Sequence, residues 1–263
     1  MSPSGDDLTL PPLSPAARRR FSLLGHGGMD LWNPLPRDAA LRMADALPLG
    51  PDARVLDVGC GPAALLLRIL ERSRASGVGV DADEEAIAIA RTNARGRVEP
   101  SRLELRSETF DAAAFPEGSF DAALCIGATH AAGGFAGALR ALHRLLRKGG
   151  AALVGEGHWL REPDPAYLAF LGAARDELTG HADNLATAER EGFDVVESVV
   201  TDRAAFDAYE ERYAANVDRF VVAHPNDPDA NAFAKRAAAW RDGYARWGGS
   251  TLGFALYALR SRG

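Results

Sequence analysis

The sequence contains little cysteine: Cys60 and Cys125 are the two cysteines among its 263 residues. They lie far apart and outside any C-x-x-C pair, which argues against a disulfide framework, a zinc knuckle and a thioredoxin-type redox site. Cys60 sits within a glycine-containing turn and Cys125 within a predicted buried strand. We therefore interpret both as packing residues rather than as nucleophiles.

Excess positive charge and long apolar runs are also missing. The formal net charge is −6, which gives no overall attraction to polyanions. No stretch approaches the roughly 20 apolar residues of a bilayer-spanning helix, and the N-terminus has no signal-peptide pattern. The sequence therefore predicts a cytoplasmic protein, monomer or homodimer, that acts on a small molecule and has no nucleic-acid or membrane partner. No metal is expected, because four of the histidines lack any ligand spacing. These are His26, His143, His181 and His224.

The chain does contain seven β-rich runs, and most of them are separated by segments long enough to form a helix. The runs are residues 53–58, 77–81, 102–107, 119–127, 150–157, 193–200 and 251–259. Strands joined by helix-length connections pair in parallel and carry helices on both faces. The pattern predicts an α/β fold with a doubly wound, seven-stranded, mostly parallel sheet.

The beginning and the C-terminal third depart from this alternation. Residues 1–35 are predicted as a tail, in which the glycine-rich segment 21–34 is either a lid or a surface loop. Residues 36–263 are predicted as one domain with a helical insertion at about 203–247. Aromatic residues share one face in each insertion helix, which fits either packing or a cap over a substrate. They are Phe206, Tyr209, Tyr213, Phe220, Phe233, Trp240, Tyr244 and Trp247.

The most informative segment is Val55-Leu56-Asp57-Val58-Gly59-Cys60-Gly61-Pro62-Ala63. A strand ends near Asp57, the glycines permit a tight turn with close ligand approach, and proline suits the start of a helix. The spacing of Gly59, Gly61 and Ala64 also satisfies the dinucleotide pattern G-x-G-x-x-A. The glycine pattern alone therefore does not distinguish a dinucleotide from an amino-acid-like ligand, and the neighbouring residues are needed to do so.

Acidic residues follow three successive predicted strands. Asp57 precedes the first glycine, where a carboxylate suits the ammonium of an amino-acid-like ligand and has no use beside a pyrophosphate. Asp81 ends the second strand and suits two ribose hydroxyls, which fits either ligand class. Glu108, in Ser107-Glu108-Thr109, offers a carboxylate to an adenine amine. Together, acceptors for an ammonium group, a ribose and an adenine describe S-adenosylmethionine.

Four segments are similar to the ordered motifs of class I S-adenosylmethionine-dependent methyltransferases: VLDVGCGPA, GVGVDAD, SFDAALCIG and LLRKGGAALVGE. The resemblance spans about residues 36–157. It implies that Asp57, Gly59 and Gly61 contact the methionine part, Asp81 the ribose and Glu108 the adenine. It extends the cofactor-binding set to three further residues, Ala82, Thr109 and Ile126.

The sequence differs from the family pattern in two places. Ala63 stands where many members have a third glycine, and Glu108 replaces a more frequent aspartate. The segments GEGHW and ARWGGSTLGFALYALR resemble a branch of bacterial small-molecule methyltransferases. That finer resemblance implies no substrate.

Residues for the reaction itself are expected after the fourth and fifth strands, because the acceptor must face the donor methyl beyond their carboxyl ends. His130 and His158 are the predicted bases for a hydroxyl or ammonium nucleophile. Glu156 and Trp159 are expected to orient the substrate, and Trp32 to close over the donor.

The sequence therefore predicts methyl transfer from S-adenosylmethionine to an oxygen or nitrogen atom of a small molecule. Three alternatives stay open. They are a non-methylating enzyme that uses the same cofactor, a nicotinamide-dependent oxidoreductase and a non-catalytic S-adenosylmethionine-binding module. The fourth predicted strand lacks the acidic or amide residue, two prolines and aromatic residue of DNA base methylation, which disfavours a nucleic-acid substrate.

Overall fold

Seven strands form one sheet in the computed structural model, which describes residues 8–262. The spatial order is β3-β2-β1-β4-β5-β7-β6. The strands are β1 (Arg54–Val58), β2 (Ser76–Asp81), β3 (Leu103–Ser107), β4 (Phe120–Ile126), β5 (Leu146–Trp159), β6 (Phe193–Val200) and β7 (Leu252–Ser261).

The pairing of these strands confirms the predicted mostly parallel sheet. β1 is parallel to β2 and β4, β2 to β3, and β4 to β5, whereas β6 and β7 are antiparallel. From β1 the chain adds β2 and β3 on one side, and then returns to place β4 and β5 on the other side. The boundary between β1 and β4 is therefore a topological switch point of the sheet. Ligands of open α/β sheets bind at such a point, beyond the carboxyl ends of the strands.

Nine longer helices accompany the strands in the described residues. They are α1 (Pro15–Gly25), α2 (Arg37–Asp45), α3 (Ala64–Arg72), α4 (Glu84–Ala94), α5 (Gly134–Leu145), α6 (Pro165–Leu171), α7 (His181–Arg190), α8 (Arg203–Ala223) and α9 (Ala230–Gly243). A π-helical turn, Tyr244–Gly248, and a short helical turn, Gly249–Thr251, lead into β7. No helix within residues 8–262 combines the length and the apolar character needed to span a bilayer.

The chain divides into two compact units. The sheet unit comprises residues 30–157, 181–201 and 254–262, and the helical unit comprises residues 8–29, 158–180 and 202–253. The helical unit therefore contains the predicted insertion, in which α8 and α9 are separated by the expected break at 224–229. It also takes residues from the N-terminal segment and from the region after β5.

Both faces of the sheet are buried in the sheet unit, as parallel strands require. Val55 and Leu56 in β1 are fully buried and belong to two different hydrophobic clusters. One cluster takes its helical residues from α2, α3 and α4, and the other from α5 and α7. Successive β1 residues alternate between these clusters because strand side chains alternate in direction. This rigid base positions the loops at the carboxyl ends of the strands.

Helix α1 of the helical unit was not predicted from the sequence. Ser14 caps it by accepting a hydrogen bond from the Ala17 backbone N–H at 3.2 Å, and Pro15 occupies its first turn. Ala17 and Phe21, four residues apart, pack in one cluster with Phe233 of α9. Part of the segment predicted as a tail and lid is therefore an anchored helix. The first seven residues of that predicted tail lie outside the described residues.

Candidate functional site

The loop between β1 and α3 has an unusual backbone. Gly59, Gly61 and Ala63 all have positive φ, at 65°, 49° and 58°. A Cβ on Gly59 would lie 2.2 Å from the Cβ of Ala128, so only glycine fits there. Ala63 takes a left-handed conformation that glycine adopts without strain but alanine does not. The loop therefore turns tightly and brings its backbone close to the loop after β4.

Asp57 is a buried carboxyl group directly before this loop. It is 6% exposed, and it accepts no hydrogen bond from the part of the chain that the structure describes. Burial, together with the nearby charge of Asp81, raises the pKa of Asp57 to about 8. A group in this state carries a proton at neutral pH until a cation approaches it.

Asp81 ties the end of β2 to the glycine loop. Its Oδ2 accepts a hydrogen bond from the Gly61 backbone N–H at 2.8 Å, and its Oδ1 accepts one from the Asp83 backbone N–H at 2.9 Å. Each carboxylate oxygen has a second lone pair, so both retain capacity to accept a hydroxyl hydrogen. The loop and the acid are thus fixed relative to each other.

The remaining residues predicted to bind the cofactor lie at the ends of the neighbouring strands. Ala82, Glu108 and Thr109 are exposed, and Ile126 is half-buried at the end of β4. The Glu108 backbone N–H donates to the Asp81 carbonyl at 3.0 Å, which places the two acids on adjacent strand ends. The side chain of Glu108 lies 3.6 Å from Arg106 and remains about half exposed. The structure thus collects the predicted set along the carboxyl edge of β1, β2, β3 and β4.

Trp32 and its neighbours lie over the same edge. The Trp32 ring is 3.3 Å from the position that a Cβ on Gly61 would occupy. Asn33 donates from Nδ2 to the Ile126 carbonyl at 3.3 Å, and Thr201 donates from Oγ1 to the Pro34 carbonyl at 2.6 Å. Trp32 was predicted from the sequence, whereas Asn33 was not, because a single amide in a loop gives no pattern to recognise.

Glu156 and His130 lie on the segments that end β5 and follow β4. The Thr129 hydroxyl donates to Glu156 Oε2, and the Gly157 backbone N–H donates to Oε1 at 2.9 Å. Burial raises the pKa of Glu156, and these two hydrogen bonds oppose that rise. His130 is exposed within the 3-10 helix Thr129–Ala132. Thr129, a partner that the sequence did not reveal, therefore joins the two loops.

His158 and Trp159 belong to the helical unit. His158 is 2% exposed, and its Nε2 lies 2.6 Å from the position of a Cβ on Gly253. Trp159 is 5% exposed, packs with Tyr167, and donates its indole N–H to the Arg175 carbonyl at 3.0 Å. These contacts favour a packing role for Trp159. Base action by His158 and substrate contact by Trp159 stay predictions.

The two cysteines have the surroundings of packing residues. Both are buried, and burial raises the pKa of each thiol well above its usual value. A neutral buried thiol is a poor nucleophile, which supports their interpretation as filler. Within residues 8–262 no group of three or more histidine, cysteine, aspartate or glutamate side chains is arranged to hold a metal ion.

Comparison with known proteins agrees with this geometry. Residues 55–150 match a family model described as a methyltransferase domain. Over 241 residues the chain is 29% identical to the uncharacterized protein YjhP of Escherichia coli (strain K12), covering 88% of this chain and 94% of that protein. The X-ray structure of YjhP superposes with a TM-score of 0.80 at 25% identity, covering 92% of this chain and all of that chain (100%).

Two further relatives extend the comparison. An S-adenosylmethionine-dependent methyltransferase from Geobacter sulfurreducens, crystallised with S-adenosyl-L-homocysteine, has a TM-score of 0.83 at 27% identity and covers 92% of this chain and 98% of its own. The 24-methylenesterol C-methyltransferase 2 of Oryza sativa subsp. japonica is 32% identical over 168 residues, covering 60% of this chain and 46% of that protein. The matched region contains the glycine loop and the strand ends around it, so residues 55–150 form a methyltransferase domain, and the chain has the fold of class I S-adenosylmethionine-dependent methyltransferases.

Proposed function

We propose that this protein transfers a methyl group from S-adenosylmethionine to an oxygen or nitrogen atom of a small molecule. The observation that carries the proposal is the glycine loop with an acid on each side. Asp57 is buried with its carboxyl group uncompensated, and Asp81 is hydrogen-bonded to the loop itself. Carboxyl groups in these places suit a ligand that has an ammonium and a ribose.

The chain's own residues fit such a cofactor. Asp57 would lose its proton and receive the ammonium, while the positive-φ backbone of Gly59 and Gly61 lets the methionine part lie close to the loop. Asp81 would accept from the ribose hydroxyls. The adenine would be held by the remaining residues of the set, which are Ala82, Glu108, Thr109 and Ile126. When bound, S-adenosylmethionine supplies a sulfonium methyl group that is already activated for displacement.

An oxygen or nitrogen acceptor must be aligned and must lose a proton. Alignment contributes most of the catalysis expected for an activated donor, and a base assists the proton transfer. Burial raises the pKa of Glu156, which makes this carboxylate a stronger proton acceptor than an exposed one, and Thr129 fixes its orientation. Glu156 is therefore a candidate base in addition to His130. Trp32 would cover the edge of the sheet at which the cofactor binds. His158 remains a candidate base from the helical unit.

The proposal is tested by incubating the protein with S-adenosylmethionine labelled in the methyl group and an extract of small metabolites. The expected result is transfer of the label to an extract component, with formation of adenosylhomocysteine. Asp81→Ala should weaken cofactor binding by about 1.5–3 kcal/mol, as expected for lost charge-assisted hydrogen bonds. Unchanged affinity in that variant would contradict the ribose assignment.

A carbon acceptor is the second candidate, because the partial match in rice is named as a C-methyltransferase of a sterol. The two candidates differ in the product: NMR of a 13C-methylated product distinguishes a methyl group on carbon from one on oxygen or nitrogen by its chemical shift. Turnover of a substrate without adenosylhomocysteine formation would instead indicate non-methylating chemistry. Cofactor binding without any turnover would indicate a binding module.

A further inference from the structure

A groove of about 700 Å³ lies beside β3, the strand at one edge of the sheet. It is lined by the end of α4, the connecting segment 95–99, the 3-10 helix Pro100–Arg102 and the first half of β3. All of these residues belong to the sheet unit, and none of them is in the set predicted to bind the cofactor. Cavities of this volume accommodate small organic ligands.

Four arginines line this groove, which we call the arginine groove: Arg91, Arg95, Arg97 and Arg102. Arg97 is neutralised by Glu71, to which its Nε and Nη2 donate at 2.7 and 2.9 Å. No carboxylate among residues 8–262 lies within 4 Å of the guanidinium nitrogens of the other three. Three positive charges of the groove therefore have no counter-charge in contact with them.

The positive charge of the arginine groove contrasts with the rest of the chain. Aspartate and glutamate outnumber lysine and arginine by 36 to 30, and the net charge is −6. One acid, Glu99, lines the groove, where it is exposed and forms no ion pair within the described residues. It leaves the groove with an excess of positive charge. Such a local concentration of one sign attracts an ion of the other.

Two of the three unpaired guanidinium groups are held in position by backbone carbonyls. Arg91 reaches from α4 to the edge strand, where its Nη2 donates to the Leu105 carbonyl at 3.1 Å. Arg102 donates from Nε to the Ala75 carbonyl at 3.0 Å and from Nη2 to the Leu70 carbonyl at 2.6 Å. Within residues 8–262, Nε and Nη1 of Arg91 and Nη1 of Arg102 donate no hydrogen bond. Both groups are thus ordered and keep donors for a ligand.

The arginine groove also offers apolar surface. Ala94, Leu103 and Leu105 are half-buried and pack against the core cluster to which Val98 belongs. Arg95 follows Arg91 by one helical turn, is exposed, and forms no hydrogen bond through its side chain within the described residues. Cationic groups above an apolar floor suit a ligand that combines an anionic group with an apolar body.

We propose that the arginine groove binds a small phosphate monoester, with the phosphate on Arg91, Arg95 and Arg102 and its organic part on Leu103 and Leu105. A phosphate carries up to two charges and three acceptor oxygens, so it can satisfy several guanidinium groups at once, whereas a carboxylate carries one charge. The proposal does not depend on methyl transfer, because the groove adjoins the amino end of β3 and Glu108 follows its carboxyl end.

Calorimetric titration of the full chain without cofactor tests the proposal with three probes that share one apolar body. They are 1-naphthyl phosphate, 1-naphthyl sulfate and 1-naphthol, which carry about two, one and no negative charges near neutral pH. We expect affinity to fall in this order, by about tenfold or more from the phosphate to the naphthol. Equal affinity for these two, or no binding of the phosphate at millimolar concentration, would overturn the proposal. Sulfate binding as tight as phosphate binding would contradict the need for a second charge.

Substitution of the arginines locates the binding. Arg95→Gln removes a charge but no hydrogen bond within the described residues, so it should lower the affinity for 1-naphthyl phosphate by about fivefold or more and leave the melting temperature unchanged. The double variant Arg91→Gln/Arg95→Gln should bind more weakly still. Arg19→Gln, at an exposed arginine of α1 that also lacks an ion pair in the described residues, is the matched control and should leave the affinity unchanged. Phosphate binding that survives in the double variant would contradict the assignment.

Discussion

The sheet unit contains a buried acid, Asp57, and the helical unit a half-buried one, Glu210, and the two units assemble the surroundings of their acid in different ways. Asp57 sits beside a loop whose shape depends on residues within six positions of it, and its charge neighbour Asp81 ends the adjacent strand. Glu210 takes its hydrogen-bond donor from Trp240, thirty positions away on another helix. The first arrangement follows from local backbone conformation and the second from tertiary packing, which explains why the sequence revealed only the first.

The largest effect is expected on turnover, from substitution of Glu156, the acid of the sheet unit that would take a proton from the acceptor. Glu156→Gln should lower turnover by about 10²–10⁴-fold, the range for loss of a general base, once an acceptor is known. The measurement is kcat together with adenosylhomocysteine affinity, which should stay the same. His130→Gln is the parallel variant on the neighbouring loop. Full activity in both variants would contradict base action by Glu156 and His130, and would leave His158 or alignment alone to account for the reaction.

A side chain at Gly59 should disrupt the backbone conformation of the glycine loop in the sheet unit. Gly59→Ala combines a positive φ with a Cβ placed 2.2 Å from Ala128, so we expect a loss of about 2–4 kcal/mol in the free energy of unfolding. Gly118 has a similar φ of 59°, but a Cβ at that position would have nothing within 4 Å. Gly118→Ala therefore isolates the backbone cost, about 1–2 kcal/mol. Equal losses in urea denaturation would contradict the steric account.

The buried charge of Asp57 predicts a pH-dependent stability. Its pKa of about 8 lies above the unfolded value, so its protonated form stabilises the folded protein at low pH, and that contribution is lost as the pH rises through 8. Asp57→Asn removes this loss. The melting temperature of the ligand-free variant, relative to the unaltered protein, should therefore rise between about pH 5 and pH 8 and level off above that. A constant difference across this range would show that Asp57 is already ionised at its acidic end.

A small effect on stability is expected from Ala63→Gly. Glycine relieves the backbone strain of a left-handed alanine, but it also gives the unfolded chain more conformational entropy, which opposes that gain. Ala63→Gly should change the free energy of unfolding by no more than about 1 kcal/mol, in the stabilising direction. Cofactor affinity should be unchanged. A clear destabilisation in denaturant unfolding would mean that the Ala63 methyl group contributes packing that outweighs its strain.

Much of the sheet unit could be predicted because its signals are local. Strand runs and connection lengths indicated the parallel order, and the glycine turn with its acids indicated the candidate cofactor edge. The partners Asn33 and Thr129 could not be predicted, since each acts through a residue brought near only by folding. Helix α1 was missed because its apolar residues Ala17 and Phe21 enclose three arginines.

The aromatic pattern of the helical unit illustrates the same limit. Periodicity placed Phe206 and Tyr213 on one helix face, but it could not separate the buried residue from the half-buried one. Phe206 is packed in the interior, whereas Tyr213 lies near Glu210. That distinction depends on tertiary packing, because Tyr213 packs against Phe21 of α1, with ring centroids 5.8 Å apart. Sequence periodicity carries no information about it.

The most direct test of the central claim is calorimetric titration of the protein with adenosylhomocysteine at pH 7 in two buffers of different ionisation enthalpy. If the ammonium of the ligand is received by Asp57, binding should be micromolar and should release a proton from this carboxyl group. In Asp57→Asn the proton release should disappear and the affinity should fall. Binding without proton release, or release that persists in Asp57→Asn, would contradict the proposed role of Asp57.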